Sequence, residues 1–439
     1  MGIFFGTDGL RGKVNEELTY EVAYKVGNAL SILKENPTVL IGSDTRISNT
    51  YLTLGVASGA MSGGATVIDA GVVPTAGIAY LTRKTKADYG VVISASHNSG
   101  EYNGIKIFNS EGYKLGDKEE ERIERCFIHN KTNDFPDIGT YTQDFTLIKD
   151  YRDFLINACE RSLEGKVIVL DCAYGAAHRI APEVFRKLGA DVIAANAVYS
   201  GLKINDGCGA LHPENLIRRV ARYKADMGFA FDGDADRLIA VDEKGNVVDG
   251  DMIICALAKY LKSKGKLNND TAVGTSHTNM AIENELKKEG ISLLRTDIGD
   301  KYVLAEMLKK NLSLGGEQSG HIILKDFATT GDGILTAIEI ANMITDKGVK
   351  MSELFGVNLY PQTNVNVVVE DKFRVMNSEE LSKEIIKYNA ELEGKGRLMI
   401  RASGTEPKIR IMVESGDKAL NDKIANAMAS FIKRMGQDI

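Results

Sequence analysis

Three α/β domains in tandem with mainly parallel, mixed sheets, followed by a smaller C-terminal α+β domain, is the architecture this sequence predicts. Three observations lead there. The chain has 439 residues, too many for one ordinary hydrophobic core. An apolar strand, a helical stretch and a second apolar strand recur three times along the first three-quarters. Beyond residue 359 the pattern changes to shorter alternating elements around an apparently antiparallel sheet.

Each repeat opens on an apolar run, at Val39-Leu-Ile, Val167-Ile-Val-Leu and Ala272-Val. A small or polar turn follows, then a helical stretch ending at a glycine. That glycine opens the second strand, Gly64-Ala-Thr-Val-Ile-Asp, Gly189-Ala-Asp-Val-Ile-Ala or Gly290-Ile-Ser-Leu-Leu-Arg. Strand, helix and strand at this spacing make a βαβ unit with parallel strands, and three of them form a weak internal repeat. Further strands are predicted over 90–93, 227–231 and 238–241. In the last domain, strands are expected over 365–369, 397–401 and 409–413, a helix over 378–392, and an amphipathic helix over 418–435. Pro361 marks the linker. The predicted domains are 1–150, 151–249, 250–358 and 359–439.

Composition narrows the function classes. Fifty-four Lys and Arg stand against 60 Asp and Glu, a net charge of −6, so no basic surface for nucleic acid or an anionic membrane is expected. No window approaches the ~18 apolar residues of a membrane span. The opening Met-Gly-Ile-Phe-Phe-Gly-Thr has neither the basic region nor the long apolar core of a signal peptide. Gly6 stands where a myristoylation signal needs Ser or Thr. Cysteines 126, 159, 172, 208 and 255 form no close pair, which argues against a disulfide framework or a zinc site. The expected location is the cytoplasm.

Four loops carry the chemistry, each at the end of a predicted strand, where open α/β sheets place their ligands. In Phe-Asp-Gly-Asp-Ala-Asp-Arg, the carboxylates Asp232, Asp234 and Asp236 alternate on a tight turn between two apolar strands. Three negative charges that close require a cation, and oxygen-only ligands select a hard one such as Mg²⁺, Mn²⁺ or Ca²⁺. With Glu243 the spacing matches a calcium EF-hand, but Arg237 occupies the obligatory glycine position and the flanks are strands. The second loop is Ser94-Ala-Ser-His-Asn-Ser-Gly, which suits an exposed nucleophilic or phosphorylated hydroxyl and equally an ordinary Ser/Asn turn. It lacks the nucleophile elbow of esterases. The third, Gly315-Gly-Glu-Gln-Ser-Gly-His, offers donors and acceptors suited to sugar hydroxyls or an amine; alone it also reads as a polar turn. The fourth, Arg401-Ala-Ser-Gly-Thr-Glu-Pro-Lys-Ile-Arg, combines backbone N–H groups with two arginines, as a phosphate dianion requires. It lacks the spacing of a nucleotide P-loop. Together the four outline phosphoryl transfer, a reaction that needs positioning and charge neutralisation above all.

From Phe5-Gly-Thr-Asp-Gly-Leu-Arg-Gly to the C-terminal Gly-rich loop, the chain resembles the α-D-phosphohexomutase family, with all four motifs in family order. Gln318, where related branches usually carry Met, resembles the branch acting on glucosamine phosphates. Cys208-Gly-Ala-Leu-His-Pro-Glu and Thr329-Thr-Gly-Asp-Gly point the same way. Ser99 departs from the proline typical of the serine loop, and Thr275-Ser-His-Thr-Asn departs from the usual sequence after its strand.

The resemblance implies a four-domain phosphohexomutase architecture around a central cleft, with Ser96 as a phosphoserine. Asp232, Asp234 and Asp236 would hold one Mg²⁺ together with phosphorylated Ser96. Arg237 and Arg11 would steady the transferring phosphoryl group, and His97 and Lys106 would line the same site. Lys106 is the first choice for moving the hydroxyl proton, assisted by Arg11 and His321. Glu317, Gln318 and Ser319 would bind the sugar; Arg401, Ser403, Gly404, Thr405 and Arg410 would clamp its distal phosphate. A hexose or hexosamine 1,6-bisphosphate is the implied activator. The implied reaction interconverts glucosamine 6-phosphate and glucosamine 1-phosphate through a bisphosphorylated sugar, on the route to UDP-N-acetylglucosamine. The implied partner is a phosphosugar, with no nucleic acid or membrane and a homodimer as the candidate assembly. Two alternatives stay open: a phosphoglucomutase or phosphomannomutase with the same mechanism, and a catalytically silent phosphosugar-binding regulator. A phosphatase-like enzyme fits less well, since it has no need of a second anion site.

Overall fold

The structure is a computed structural model describing residues 6, 9–128, 137–403 and 407–437. The chain folds as two compact units, Met1–Thr278 with Glu289–Gly356, and Asn279–Lys288 with Val357–Ile439.

The first unit holds three sheets built on one plan. In the first, the strand order is Leu10–Lys13, Tyr102–Asn109, Tyr89–Ile93, Thr38–Ser43, Thr66–Val72, Thr140–Gln143. Its centre is parallel, and Tyr89–Ile93 turns back antiparallel into Tyr102–Asn109. The second runs Val247–Val248, Leu238–Asp242, Met227–Phe231, Val167–Asp171, Asp191–Ala195, again with a parallel centre and an antiparallel hairpin, Met227–Phe231 to Leu238–Asp242. The third runs Ser292–Thr296, Thr271–Thr275, Leu314–Gly316, Ile322–Leu324, with the hairpin Leu314–Gly316 to Ile322–Leu324. The repeated βαβ phrase therefore folds as read, and all three strand pairs it names are parallel.

This plan positions the chemistry. The serine loop, the acidic turn and the Glu317 loop each connect the two strands of that antiparallel hairpin, at the equivalent place in each repeat. The strands feeding them are deeply apolar: every residue of Tyr89–Ile93, Met227–Phe231 and Leu314–Gly316 is buried. A strand buried on both faces holds its terminal loop in a fixed register, because a slip of one residue would have to move the whole core. Packing between helices is equally tight. A Cβ on Gly27 of the helix Tyr20–Leu33 would come within 1.9 Å of the Val56 carbonyl in the helix Asn49–Ser62.

The second unit is a three-stranded antiparallel sheet, Gln362–Val368, Lys408–Ser415, Gly396–Ala402, with the helices Glu379–Glu391 and Lys418–Gln437. Its core gathers Val367, Leu381, Leu398, Ile411, Ile424 and Ile432. Both helices and all three strands match the expected segments. The short helix Lys372–Met376, capped by Asp371, was not legible because five residues carry no periodicity. Glu414 is fully buried in this unit, where Oε2 accepts from Arg397 Nε at 2.6 Å and Oε1 from the Met280 N–H at 2.9 Å.

No helix among the described residues is long and apolar enough to cross a membrane.

Candidate active site

The acidic turn is buried. Asp232, Asp234 and Asp236 are 1%, 0% and 2% exposed, and one oxygen from each lies within 4.8 Å of the others. Among the described residues this is the one cluster of acidic, histidine or cysteine side chains that could hold a metal. The alternating residues Gly233 and Ala235 make the turn possible. Ala235 takes a left-handed φ of 58°, and a Cβ on Gly233 would sit 2.5 Å from the Ser96 carbonyl oxygen.

The carboxylate oxygens divide into two sets. Asp234 Oδ2 accepts from Lys106 Nζ at 2.8 Å and Thr75 Oγ1 at 2.5 Å, and Asp236 Oδ2 accepts from Lys106 Nζ at 3.1 Å. Asp232 Oδ2 accepts from Ser96 Oγ at 2.6 Å, and its Oδ1 accepts from the Arg237 N–H at 3.1 Å. Asp234 Oδ1 and Asp236 Oδ1 are buried without a hydrogen-bond partner among the described residues. Leaving such acceptors dry and unbonded costs about 1–3 kcal/mol each, so their orientation fits a cation held by the triad.

Charge is finely divided here. Burial, then the negative charges of Asp236 and Asp234, push the Asp232 carboxyl well above the ordinary range. Burial acts the same way on Asp236, yet Lys106, with His321 and Arg237, holds that carboxyl well below it. Three buried carboxylates and one lysine ammonium leave excess negative charge that a divalent ion would neutralise.

The serine loop meets this turn directly. Ser96 is fully buried and takes a left-handed φ of 53°, a strain of roughly 1–2 kcal/mol for a non-glycine residue. Its neighbour His97 has Nδ1 3.5 Å from Ser96 Oγ. Burial, then the positive charges of Arg237 and Arg11, lower the His97 pKa to about 4. His97 is therefore neutral at pH 7. Arg11 lies on the strand Leu10–Lys13, paired with Gly104 of the strand that carries Lys106.

Lys106 is 1% exposed and bridges two carboxylates. His321 is buried with Nδ1 3.7 Å from Asp236 Oδ2 and Nε2 3.5 Å from Asp300 Oδ2. Burial opposes its protonation, but Asp236 and Asp300 raise its pKa on balance. The Gly331 N–H points at Nε2 from 3.0 Å, which favours the neutral tautomer with the proton on Nδ1, facing Asp236.

The Glu317 loop turns between Leu314–Gly316 and Ile322–Leu324, strands rather than helices. Glu317 Oε1 accepts from the Gly299 N–H at 3.0 Å. Gln318 Nε2 donates to Asp249 Oδ2 at 3.2 Å, while Asp249 Oδ1 caps the helix Gly250–Ser263 at 3.1 Å. Ser319 Oγ is buried without a hydrogen-bond partner among the described residues.

In the second unit, Arg401 and Arg410 are directly paired across two antiparallel strands. Like charges so placed repel. Burial, then the Arg410 charge, lower the Arg401 pKa. An anion between them would relieve the repulsion. Ser403 is buried beside them, its carbonyl accepting from Lys372 Nζ at 2.6 Å. Gly404 and Thr405 lie outside the described residues, as do Phe5, Thr7 and Asp8 of the opening motif.

In the first unit the structure thus brings Ser96, His97, Lys106, Arg237, His321 and the three aspartates together. Four further side chains escaped the sequence reading: Thr75, Asp44, Arg46 and Asn205. Thr75 opens the helix Thr75–Thr85, donating its N–H to the Asp234 carbonyl at 3.0 Å as well as its hydroxyl to the carboxylate. Arg46 is fully buried on Asp44, Nε to Oδ2 at 3.0 Å. A detectable signal existed: Asp44-Thr-Arg46 ends the first predicted strand, where the other site loops also begin.

Comparison with known proteins agrees with this geometry. Models described as phosphoglucomutase/phosphomannomutase match along the chain: alpha/beta/alpha domain I over residues 2–134, domain II over 149–245, domain III over 249–360, and the C-terminal domain over 365–431. The chain is 49% identical to the phosphoglucosamine mutase of Caldanaerobacter subterraneus subsp. tengcongensis, with 99% of each chain covered. It is 46% identical to that of Clostridium beijerinckii, again with 99% of each covered. Among solved structures, a phosphoglucomutase/phosphomannomutase family protein from Burkholderia thailandensis superposes with a TM-score of 0.83 at 21% identity, covering 98% of this chain and 97% of that one. The N-acetylphosphoglucosamine mutase of Aspergillus fumigatus, in complex with GlcNAc-6P and magnesium, gives 0.69 at 18% identity, covering 99% and 96%. With four family models in order along its length and relatives of 46–49% identity spanning 99% of it, this chain belongs to the phosphoglucomutase/phosphomannomutase family, the phosphohexomutase isomerases.

Proposed function

We propose that this member of the family interconverts glucosamine 6-phosphate and glucosamine 1-phosphate, in the cytoplasm, with Ser96 carrying the phosphoryl group and a hexose or hexosamine 1,6-bisphosphate priming it. The observation that carries the reading is the contact of the buried Ser96 Oγ with Asp232 Oδ2 at 2.6 Å, within a carboxylate triad that retains two unbonded inward oxygens. Asp232, Asp234 and Asp236 would hold Mg²⁺, which, when bound, supplies charge neutralisation for the phosphoryl oxygens. The relatives named phosphoglucosamine mutase support the choice of sugar.

In this reading Ser96 Oγ bears the phosphoryl group, which passes to a sugar hydroxyl. The resulting bisphosphate reorients and returns its other phosphate to Ser96. Arg11 and Arg237 supply positive charge beside His97, whose neutral imidazole serves as a hydrogen-bonding group. Lys106, held between two carboxylates, stays an ammonium in the resting site and can take part in proton movement only when those contacts change. Glu317, Gln318 and Ser319 face the sugar; the bond from Gln318 to Asp249 gives the glutamine a fixed amide orientation.

The paired Arg401 and Arg410, with Ser403, are assigned to the phosphate that is not transferred. Arg410→Ala is expected to raise KM for the phosphosugar ~10–100-fold, the equivalent of losing a charge-assisted contact of ~1.5–3 kcal/mol, with a smaller change in kcat. An unmoved KM would remove Arg410 from the clamp. The proposal as a whole is tested by incubating the protein with glucose 1,6-bisphosphate and Mg²⁺ and measuring its intact mass. Gain of one phosphoryl group, mapped to Ser96 by peptide sequencing, is the expected result; no gain, or a gain elsewhere, contradicts it.

A further inference from the structure

All five N–H groups of the Arg46 guanidinium are engaged, four of them by one loop. Nε donates to Asp44 Oδ2 at 3.0 Å. Nη1 donates to the carbonyls of Ser99 and Tyr102, the latter at 2.9 Å. Nη2 donates to those of Ser96 at 3.0 Å and Asn98 at 2.7 Å. Asp44 is buried too, and its second oxygen accepts from the Arg46 N–H and from Asn49 Nδ2, each at 2.9 Å.

The same pair reaches Ser96 by its other end. The Ser96 N–H donates to Ser94 Oγ at 2.9 Å, and Ser94 Oγ donates to Asp44 Oδ2 at 2.6 Å. Asn205 adds bonds to the Ser96 carbonyl at 2.8 Å and the Asn98 carbonyl at 2.9 Å. Both backbone polar groups of Ser96 are therefore tied, directly or through one hydroxyl, to Asp44 and Arg46. With the peptide fixed on both sides, the left-handed φ of 53° is imposed on the residue.

We propose that the buried Asp44–Arg46 pair is the positioning device for the phosphoryl-carrying serine: it holds Ser96 Oγ against the acidic turn whether or not the oxygen is phosphorylated. The inference rests on the reading of Ser96 given above. A phosphoserine dianion beside three carboxylates pushes its own loop outward, and Ser99 provides no ring to stiffen that loop. Arg46 opposes the displacement from beneath, through main-chain carbonyls that are the same in both states. Lysine cannot replace it, since an ammonium has three donors on one point and no fork.

The test compares wild type with Arg46→Lys and with Asn205→Gly, the latter chosen because Asn205 has a φ of 59° that glycine adopts freely. Four quantities are measured: hydrogen exchange of amides 96–102, phosphoryl transfer from glucose 1,6-bisphosphate to Ser96 by intact mass, kcat and KM, and Mn²⁺ affinity. For Arg46→Lys, loop exchange should rise at least ~10-fold, and kcat and the transfer rate should fall roughly 10²-fold, as for a nucleophile displaced by about 1 Å. KM and Mn²⁺ affinity should stay within about threefold. Asn205→Gly should do the same more mildly, roughly 10-fold in kcat. A folded Arg46→Lys protein with wild-type loop exchange and kcat overturns the proposal, as does a parallel loss of Mn²⁺ affinity, which would mark a general structural role. If Arg46→Lys does not fold, Asn205→Gly decides, and unchanged exchange and kcat refute the clamp. If wild type takes no phosphoryl group at Ser96, the functional reading falls, and loop exchange still decides whether Arg46 holds the loop.

Discussion

Ser96→Ala should lower mutase turnover by at least ~10⁴-fold and leave the fold intact. The size of the effect follows from the role: without the hydroxyl there is no acceptor for the phosphoryl group and no donor to return it. The intact fold follows from the contacts. The bonds that hold this residue run from the Ser96 N–H and carbonyl to Ser94, Arg46 and Asn205, and alanine keeps all of them. The one side-chain bond lost is to Asp232 Oδ2, and alanine tolerates the left-handed φ about as well as serine. Steady-state turnover with circular dichroism checks both halves. Substantial retained activity in a folded protein would mean that the phosphoryl group travels on another atom.

Asp234→Asn carries the second largest effect. Asp234 Oδ1 is unbonded and Oδ2 is shared by Lys106 and Thr75, so the residue is half committed to the protein and half open to a cation. Asparagine removes one of the triad's charges and turns an NH₂ toward either Lys106 or the metal position. Mg²⁺ affinity should fall by roughly 10²-fold or more, and the rate at fixed Mg²⁺ with it. Stability without metal should change little, because reduced repulsion within the triad offsets the weakened Lys106 contact. The metal-dependent part should change much more. At a Mg²⁺ concentration ~100 times the wild-type Kd, binding stabilises the fold by ~2.7 kcal/mol, and a hundredfold weaker site retains only ~0.4 kcal/mol. Thermal melts with and without Mg²⁺ measure this directly; an unchanged Mg²⁺-induced rise in Tm would take Asp234 out of the ligand set.

Much of this was legible in the sequence because the strongest signals are local. Apolar runs bounded by glycine state strand, turn and strand within a few residues, so the three βαβ phrases and the C-terminal sheet could be read directly. The three aspartates alternate on a turn between apolar flanks, and no solvated loop needs that. What escaped is long-range. Arg46 is separated by 50 residues from Ser96, Thr75 by 159 from Asp234, and Asn205 by 109 from Ser96. Each looks like an ordinary polar residue until the fold buries it. The Gln318 bond to Asp249 likewise joins segments 69 residues apart, so its role in holding the sugar loop was invisible beside its value as a branch marker. The short strand Leu10–Lys13 was missed as a strand although Arg11 was singled out, since four residues show no period.

The most direct test of the central claim is a parallel turnover assay on glucosamine, glucose and mannose 6-phosphates, with Mg²⁺ and a hexose bisphosphate primer. The account predicts a clear preference in kcat/KM for glucosamine 6-phosphate. A preference for glucose or mannose 6-phosphate, or no turnover of any of the three by protein phosphorylated at Ser96, would contradict it.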